Sequence, residues 1–311
     1  MMFENLEILD SIKLNFSPQG LFLLNVTIAF IMFGVALDIK LAHFKELFKR
    51  PKPAIVGIIS QWLLLPALTY LLIILLKPSV AVSLGMLLVA SCPGGNISNF
   101  ISSLAKANVA LSVSMTAFST LASIVLTPLN FAFWGGLYAS SSPLLVPVTI
   151  DPIEMIKTVF ILLGLPVAAG MTFAWKFPNT TKRILKGVRI TSLFIFIGFV
   201  AGAFASNYDH FLNYIRYIFV IVLLHNGIAL LGGYNFARLF GLKQNNRRTI
   251  GIETGIQNSG LGLALLFNPH IFDQSLNLGG MAFIIAWWGI WHIISGMTIA
   301  WLWNRKPIRL D

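Results

Sequence analysis

Residues 247–267 read RRTIGIETGIQNSGLGLALLF and place one acidic residue, Glu253, inside an otherwise apolar run. After Arg248 no other charge occurs until Asp273, so the stretch is apolar enough to lie inside a membrane. A carboxylate at membrane depth costs on the order of 2.5–3.5 kcal/mol on insertion scales, which makes a functional role its default interpretation. The residues that follow it combine glycine with polar side chains, as expected for a loosened helix that offers oxygen ligands to a cation. They are Thr254, Gly255, Gln257, Asn258, Ser259 and Gly260.

The composition of the 311-residue chain is that of a helical membrane protein. Hydrophobic residues make up 57% of the sequence and charged residues 11%, whereas soluble domains have about 45–50% apolar and about 25% charged residues. The apolar runs are long and continuous, unlike the short alternating segments of a β-barrel. Basic cytoplasmic loops then explain the net charge of +11 better than nucleic-acid binding does. Cys92 is the single cysteine, which excludes an internal disulfide and a cysteine-based metal site.

Nine apolar segments are each near the ~20 residues that a helix needs to cross a bilayer. We therefore expect an all-α polytopic membrane protein with nine transmembrane helices. A re-entrant segment among them is the alternative that would change the count. The predicted spans are 20–38, 54–76, 80–104, 108–136, 153–175, 188–205, 214–240, 247–269 and 276–303.

Lysine and arginine are concentrated in every second connection between these spans. They cluster in residues 39–53, near 106, in 175–189, in 238–248 and after 304, whereas the opposite connections hold only Lys13, Lys77, Lys157 and Arg216. The positive-inside rule then places the N-terminus outside and the C-terminus in the cytoplasm. The expected location is a bacterial inner membrane, with an extracytoplasmic segment at 1–19 and a cytoplasmic tail at 305–311.

Two of the predicted spans are interrupted at matching places. Pro93-Gly94-Gly95 lies in the middle of 80–104, and the sequence ETGIQNSG (253–260) interrupts 247–269. Proline removes a backbone donor, and glycine permits non-helical backbone angles. One long span follows each interrupted span, and the two interrupted spans enter the membrane from opposite sides, which is the pattern of inverted repeats in transporters. Ordinary kinks are the alternative, but they would not require the polar residues beside each break.

These interruptions predict the division of the chain into repeats. The first repeat covers 20–138, with its broken helix near 93–96. The second, inverted repeat covers 188–304, with its broken helix near 254–260. Residues 139–187, a linking span and a cytoplasmic loop, connect the two.

At these residues the chain resembles the bile acid:sodium symporter family, in its bacterial branch. The resemblance covers nearly the whole chain and implies two inverted repeats arranged as a core domain and a panel domain, with spans 1, 5 and 6 in the panel. Bacterial members often have ten spans, and we expect this chain to lack the first of them. The motifs that carry the resemblance are CPGGNISN (92–99), LSVSMT (111–116), LTP (126–128), LLHNG (223–227), IETGIQNSG (252–260) and WHIISG (291–296).

The resemblance also implies two sodium sites that share one carboxylate and contain only hard oxygen ligands, with no cofactor beyond the two ions. Gln61 taken alone is equally well explained by an interhelical hydrogen bond. Ser112 and Thr116 are four residues apart and therefore lie on one helix face. The first site would consist of Ser98, Asn99, Ser112, Thr116 and Glu253. The second would consist of Gln61, Glu253, Gln257 and the backbone carbonyls of Thr254 and Ile256.

For the substrate, the resemblance implies Gly95, Asn96, Asn258 and His292. A structural, hydrogen-bonding role is the alternative for His292. The chain has Asn96 where bacterial members commonly have threonine, and Ile293 where they have asparagine after the WH pair. Both differences lie near the expected cavity, so the predicted substrate is an organic anion, either bile-acid-like or a smaller carboxylate or sulfonate.

The predicted function is sodium-coupled symport of a small organic anion by alternating access. The expected partners are sodium, the anion and the lipid bilayer, and the expected state is a monomer. A proton-coupled organic-anion carrier of the same fold, with Glu253 as the proton carrier, is the main alternative, and a channel is a further one. An enzyme is not expected, because the sequence has no Ser/His/Asp constellation, no HExxH and no cofactor motif.

Overall fold

The computed structural model describes residues 18–49, 51–141, 151–205, 208–268, 271–272 and 278–305. Most of the predicted N-terminal segment, 1–19, and of the predicted tail, 305–311, lies outside these residues. The described residues form helices that are joined by short connections. The helices are α1 (Pro18–Ala36), α2 (Leu41–Lys49), α3 (Pro51–Leu76), α4 (Val80–Ala90), α5 (Ile97–Leu104), α6 (Val109–Ser141), α7 (Pro152–Lys176), α8 (Pro178–Ala205), α9 (Tyr208–Leu239), α10 (Gln244–Gly255), α11 (Ser259–Leu266) and α12 (Gly279–Asn304).

Five helical segments in the described ranges are long and apolar enough to cross a membrane. They are α3, α7, α12, Val109–Ser140 of α6 and Leu212–Leu239 of α9. Two shorter apolar helices, Asn25–Ala36 and Val80–Ala90, belong to α1 and α4. The predicted all-helical membrane architecture is confirmed for the described residues, while the count of nine spans stays a prediction.

A π-helical turn interrupts α3 at Ser60–Leu64. The turn precedes Pro66, which has no N–H group and therefore cannot bond to the carbonyl of Trp62 four residues earlier. The side-chain amide of Asn130 in α6 donates to this freed carbonyl at 2.8 Å. A π turn changes the direction of the side chains it contains and is frequent at functional sites. Here it contains Gln61, one of the predicted sodium ligands.

The two helix breaks pair with each other. Gly94 and Gln257 form an isolated antiparallel bridge. Gly95 N donates to Ile256 O at 2.8 Å, and Asn258 N donates to Pro93 O at 2.8 Å. Each break thus satisfies one backbone N–H or carbonyl group of the other through each of these two bonds. The segments that join α4 to α5 and α10 to α11 consequently meet in the interior.

Arg248 fastens α10 to the end of α5. Its side chain is fully buried, its Nη1 donates to Ala105 O at 2.8 Å, and its guanidinium lies 5.8 Å from the ring centroid of Trp303. A positive charge at a helix C-terminus interacts favourably with the helix dipole. The contact therefore holds the half-helix α5 in place after the break has separated it from α4.

A separate group of helices packs beside this pair of breaks. Helix α1 lies against α7 and α8, and the approach to α7 is close: a Cβ atom at Gly170 would lie 2.6 Å from Phe33 O. These three helices correspond to the spans that the resemblance assigns to a panel domain. The division into core and panel, and the repeats themselves, remain predictions.

The crossing of α4 and α12 yields the first testable prediction. A Cβ atom at Gly85 would lie 2.8 Å from the Cα atom of Met281, and backbone cannot move aside as a side chain can. We expect Gly85→Ala to lower the free energy of unfolding by about 1–3 kcal/mol, the usual cost of overpacking. Thermal unfolding of the purified protein in detergent measures the effect.

Gly136→Ala is the matched control, because a Cβ atom at Gly136 meets no atom within 4 Å. This variant should be as stable as the unmodified protein or slightly more stable, since alanine favours helix over glycine by about 1 kcal/mol. Equal melting temperatures for the two variants would contradict the close crossing of α4 and α12.

Candidate functional site

Glu253 is completely buried in the last turn of α10, and three hydroxyl groups from other helices donate to its carboxylate. Ser98 Oγ donates to Oε1 at 2.6 Å, Ser112 Oγ also donates to Oε1, and Thr116 Oγ1 donates to Oε2 at 3.1 Å. Ser98 lies in α5, just after the first break, while Ser112 and Thr116 lie one turn apart on α6. The helices around the first break therefore converge on the carboxylate beside the second.

The same hydroxyl groups also face a second acceptor. Asn99 Oδ1 lies 2.9 Å from Ser112 Oγ and 3.2 Å from Thr116 Oγ1. A hydroxyl has one proton to donate, so Ser112 and Thr116 can each donate to Glu253 or to Asn99, but neither can donate to both at once. The five residues predicted for the first sodium site are thus brought together, with more oxygen acceptors than protons. Such a cluster attracts a small hard cation, because hard cations prefer carboxylate, carbonyl and hydroxyl oxygens as ligands.

The residues predicted for the second sodium site lie around Gly94. A Cβ atom at Gly94 would lie 3.0 Å from both Gln61 Nε2 and Glu253 Oε2, so the two side chains flank the same glycine. Gln257 is bridged to Gly94 through the backbone. The structure therefore also brings together Gln61, Glu253 and Gln257.

The backbone carbonyls of this second set have protein partners, but two of its amide atoms do not. Gln257 Nε2 donates to Thr254 O at 2.8 Å, and Ile256 O accepts from Gly95 N. A carbonyl oxygen has two lone pairs, so both carbonyls keep capacity for a cation. Gln61 Nε2 and Gln257 Oε1 are buried without a hydrogen-bond partner. Leaving a buried polar atom unpaired costs about 1–3 kcal/mol. The acceptor Gln257 Oε1 therefore favours a cation here, whereas Gln61 would ligate one only with its amide turned to present Oε1.

A cavity of about 620 Å³ adjoins both sets and is lined by the two breaks together with parts of α1, α6, α8 and α12. The four residues predicted to contact the substrate all line it: Gly95, Asn96, Asn258 and His292. Asn99, Thr116 and Gln257 also lie on its wall. The cavity is therefore continuous with the cluster of oxygens around Glu253.

The side chains on the cavity wall differ in what they can offer a ligand. Gly95 uses its N–H for Ile256 O, so this group does not face a ligand. Asn258 caps α11, because its Oδ1 accepts from Leu261 N at 3.1 Å. Asn96 is exposed to the cavity, and His292 is buried with its Nδ1 unpartnered.

Within the described residues the cavity wall has no lysine or arginine. The ionisable side chains on it are Asp38, just after α1, His43, in α2, and His292, in α12. Burial lowers the pKa of His43 below its ordinary value, with Asp38 acting in the opposite direction, so the imidazole is largely neutral at pH 7. A bound anion would therefore find no fixed positive side chain in this wall.

Some residues of the site were not predicted from the sequence. Ser60 Oγ lies 2.8 Å from Thr254 Oγ1 and ties the π turn of α3 to α10. Its position next to Gln61 in an apolar span was the signal that could have identified it. Asp38, which follows α1, His43 of α2 and Ser192 of α8 also line the cavity, and no motif of the sequence marks them.

The described residues contain no group of three or more histidine, cysteine, aspartate and glutamate side chains that could hold a metal ion. Transition metals are usually bound by such groups. The polar atoms that converge here are hydroxyl, amide and carbonyl oxygens around one carboxylate, which is the ligand set of an alkali or alkaline-earth cation.

Known proteins match this chain over most of its length. The model of the sodium bile acid symporter family matches residues 25–214. The "Uncharacterized sodium-dependent transporter YocS" of Bacillus subtilis is 32% identical over 283 residues, which cover 91% of this chain and 83% of that protein. The rice protein "Probable sodium/metabolite cotransporter BASS2, chloroplastic" is 32% identical over 85% of this chain and 64% of its own length.

A human relative, "Sodium/bile acid cotransporter 4", is 29% identical over 76% of this chain and 53% of its own length. These relatives bear the names of transporters, not of enzymes. Together with the apolar helices of the fold, the matches identify a multi-pass membrane protein. The chain belongs to the sodium bile acid symporter family.

Proposed function

We propose that the protein is a sodium-coupled symporter that imports a small organic anion. The observation that carries the proposal is the environment of Glu253, a fully buried carboxylate among excess oxygen acceptors, next to a cavity without a fixed positive side chain in its described wall. Two sodium ions would compensate the carboxylate and supply the positive charge that the anion requires. The names of two relatives, a sodium-dependent transporter and a sodium/bile acid cotransporter, support the same coupling ion.

The sodium ligands we propose are the residues predicted from the sequence. Ser98, Asn99, Ser112, Thr116 and Glu253 would hold the first ion. Gln61, Glu253, Gln257 and the carbonyls of Thr254 and Ile256 would hold the second. Hydroxyl and amide oxygens around one carboxylate favour a desolvated metal ion, whereas a proton carrier would need only the carboxylate and a path for water. The proton-coupled alternative is therefore not favoured.

Two half-helices would provide the remaining attraction for the anion. Helices α5 and α11 both begin at the cavity, at Ile97 and Ser259. The N-terminus of a helix carries partial positive charge and N–H groups without intrahelical partners, which suits carboxylate, sulfonate or phosphate groups. The rest of the wall includes apolar side chains of α1, among them Ile28 and Met32, which would contact the hydrocarbon part of the substrate.

The coupling follows from charge and differential affinity. If sodium binding favours the state that accepts the anion, then the anion must strengthen sodium binding by the same factor. Two Na⁺ with a monovalent anion carry one net positive charge inward. This charge is worth about 2.3 kcal/mol for each 100 mV of membrane potential, so the membrane potential would drive uptake as well as the sodium gradient.

The expected topology predicts the side of the membrane toward which the cavity extends. It extends from the breaks to Asp38 and His43, beside the basic loop 39–53 that the positive-inside rule puts in the cytoplasm. We propose nine spans, two inverted repeats and an inward-facing state, in a monomer of the bacterial inner membrane. Alternating access would then require the core to move against the panel formed by α1, α7 and α8.

A sodium-dependent thermal-shift screen tests the proposed function. Purified protein is heated with a panel of organic anions, including bile acids, short carboxylates and sulfonates, in NaCl and in an equal concentration of choline chloride. At least one anion should raise the melting temperature in NaCl but not in choline chloride, because the anion binds only to the sodium-loaded form. Equal stabilisation in both salts would contradict sodium coupling, and the absence of any anion that stabilises the protein in NaCl would contradict the substrate class.

A further inference from the structure

Asn226 of α9 lies against the unwound segment that follows α10. It is completely buried, and its Nδ2 donates to Gly255 O at 2.7 Å. Gly255 is the last residue of α10, so its carbonyl is among those that a helix end leaves without an intrahelical partner. The amide of Asn226 therefore caps α10 from a neighbouring helix, between the two residues whose carbonyls are proposed for the second sodium site.

The orientation of the Gly255 carbonyl determines the direction of the next carbonyl, that of Ile256. Ile256 has extended backbone angles, φ −110° and ψ 96°, and successive carbonyls of an extended chain point in opposite directions. With Gly255 O held toward α9, Ile256 O is turned toward the first break, where Gly95 N donates to it. If the peptide that follows Gly255 rotated, Ile256 O would turn away from Gly95 N and from the first break.

Ser295 of α12 determines which way the amide of Asn226 faces. Its Oγ donates to Asn226 Oδ1 at 2.5 Å, which leaves the Nδ2 group to face Gly255 O. Ser295 Oγ also lies 3.2 Å from His292 O, one turn earlier on the same helix. Because a hydroxyl has one proton and Ser295 uses it for Asn226, the chain of hydrogen bonds runs from Ser295 through Asn226 to Gly255, with the cavity-wall residue His292 one turn away.

We propose that Asn226, oriented by Ser295, is a positioning residue for the second sodium site. The inference rests on the proposed sodium-coupled function. Neither residue needs to contact the ion: Asn226 fixes the direction of the carbonyls that do, and Ser295 fixes Asn226. Second-sphere partners of this kind change metal affinity without being ligands.

Equilibrium binding of ²²Na⁺ to the purified protein, without any anion, measures the effect. The binding curve should contain one step for each sodium site. The step that Gln61→Ala weakens is assigned to the second site, and the step that Ser98→Ala weakens is assigned to the first. Relative to the unmodified protein, Asn226→Leu should weaken the second step about tenfold, as for the loss of a second-sphere partner, with the first step unchanged. Ser295→Ala should weaken the second step less than Asn226→Leu, because Asn226 itself remains. Ser295→Thr, which keeps the hydroxyl group, should restore the second step.

Thr298→Ala is the matched control, because this hydroxyl lies on the same helix and donates only to Ile294 O of its own turn. It should leave both binding steps unchanged. If Asn226→Leu does not fold, Ser295→Ala and Ser295→Thr decide the question between them. Normal second-step binding in Ser295→Ala would overturn the positioning role and leave the sodium sites standing. Absence of saturable ²²Na⁺ binding in the unmodified protein would instead overturn the proposed function, and the inference with it.

Discussion

Glu253→Gln is expected to abolish sodium-driven uptake in reconstituted liposomes. The substitution preserves the size of the side chain but removes the negative charge shared by both proposed sodium sites. One ion–carboxylate contact at ~4 Å is worth about 4 kcal/mol at an effective dielectric constant of ~20. Losing the charge should therefore lower the binding affinity for both sodium ions by orders of magnitude. The measurement compares initial uptake of an anion from the thermal-shift screen with and without an inward sodium gradient.

Glu154→Gln is the control for this experiment. Glu154 is an exposed residue of α7, paired with Lys157, and exposed pairs of this kind contribute little to stability. Its removal should leave uptake unchanged. Unaltered sodium dependence in Glu253→Gln would contradict the assignment of this carboxylate as the shared sodium ligand.

Gly94→Ala is expected to have the second largest effect. The added methyl group would lie 3.0 Å from both Gln61 Nε2 and Glu253 Oε2, which is closer than a carbon and a polar atom normally approach. Because both side chains are buried, they must shift within the proposed sodium site to make room. Sodium affinity should fall by about 10–100-fold, the range for a disturbed ligand sphere, and the sodium concentration for half-maximal uptake should rise by a similar factor.

Gly198→Ala separates a local effect at the break from a general effect of losing a glycine. A Cβ atom at Gly198, in α8, meets nothing within 4 Å, so sodium affinity and uptake should be those of the unmodified protein. If Gly94→Ala also bound sodium normally, the proposed second sodium site beside Gly94 would be wrong.

Much of the site could be predicted because the cost of burying polar groups is visible in the sequence. Glu253 and the proline and glycines of 93–95 are out of place in apolar spans, and the resemblance to a known family supplied the ligand sets around them. The structure brings these residues together, and the pairing of Gly94 with Gln257 explains why both breaks are needed. The ligand roles of these residues are still proposals.

The parts that escaped prediction depend on contacts between distant helices. The hydrophobic pattern of 54–76 does not reveal the π turn at Ser60–Leu64. Pro66 is visible in the sequence, but the carbonyl of Trp62 that it leaves free is bonded by Asn130 of the distant helix α6. Ser192 reaches the cavity only through the packing of α8 against α1. The sequence also does not reveal which backbone groups have hydrogen-bond partners. The N–H of Gly95, for example, donates to Ile256 O.

Uptake driven by imposed gradients tests the central claim most directly. Proteoliposomes are given an inward sodium gradient without a pH difference, or an inward proton gradient without sodium, and accumulation of the anion from the thermal-shift screen is followed over time. The account predicts accumulation with the sodium gradient, faster uptake when the interior is made negative, and none with the proton gradient alone. Accumulation driven by protons in the absence of sodium would contradict it.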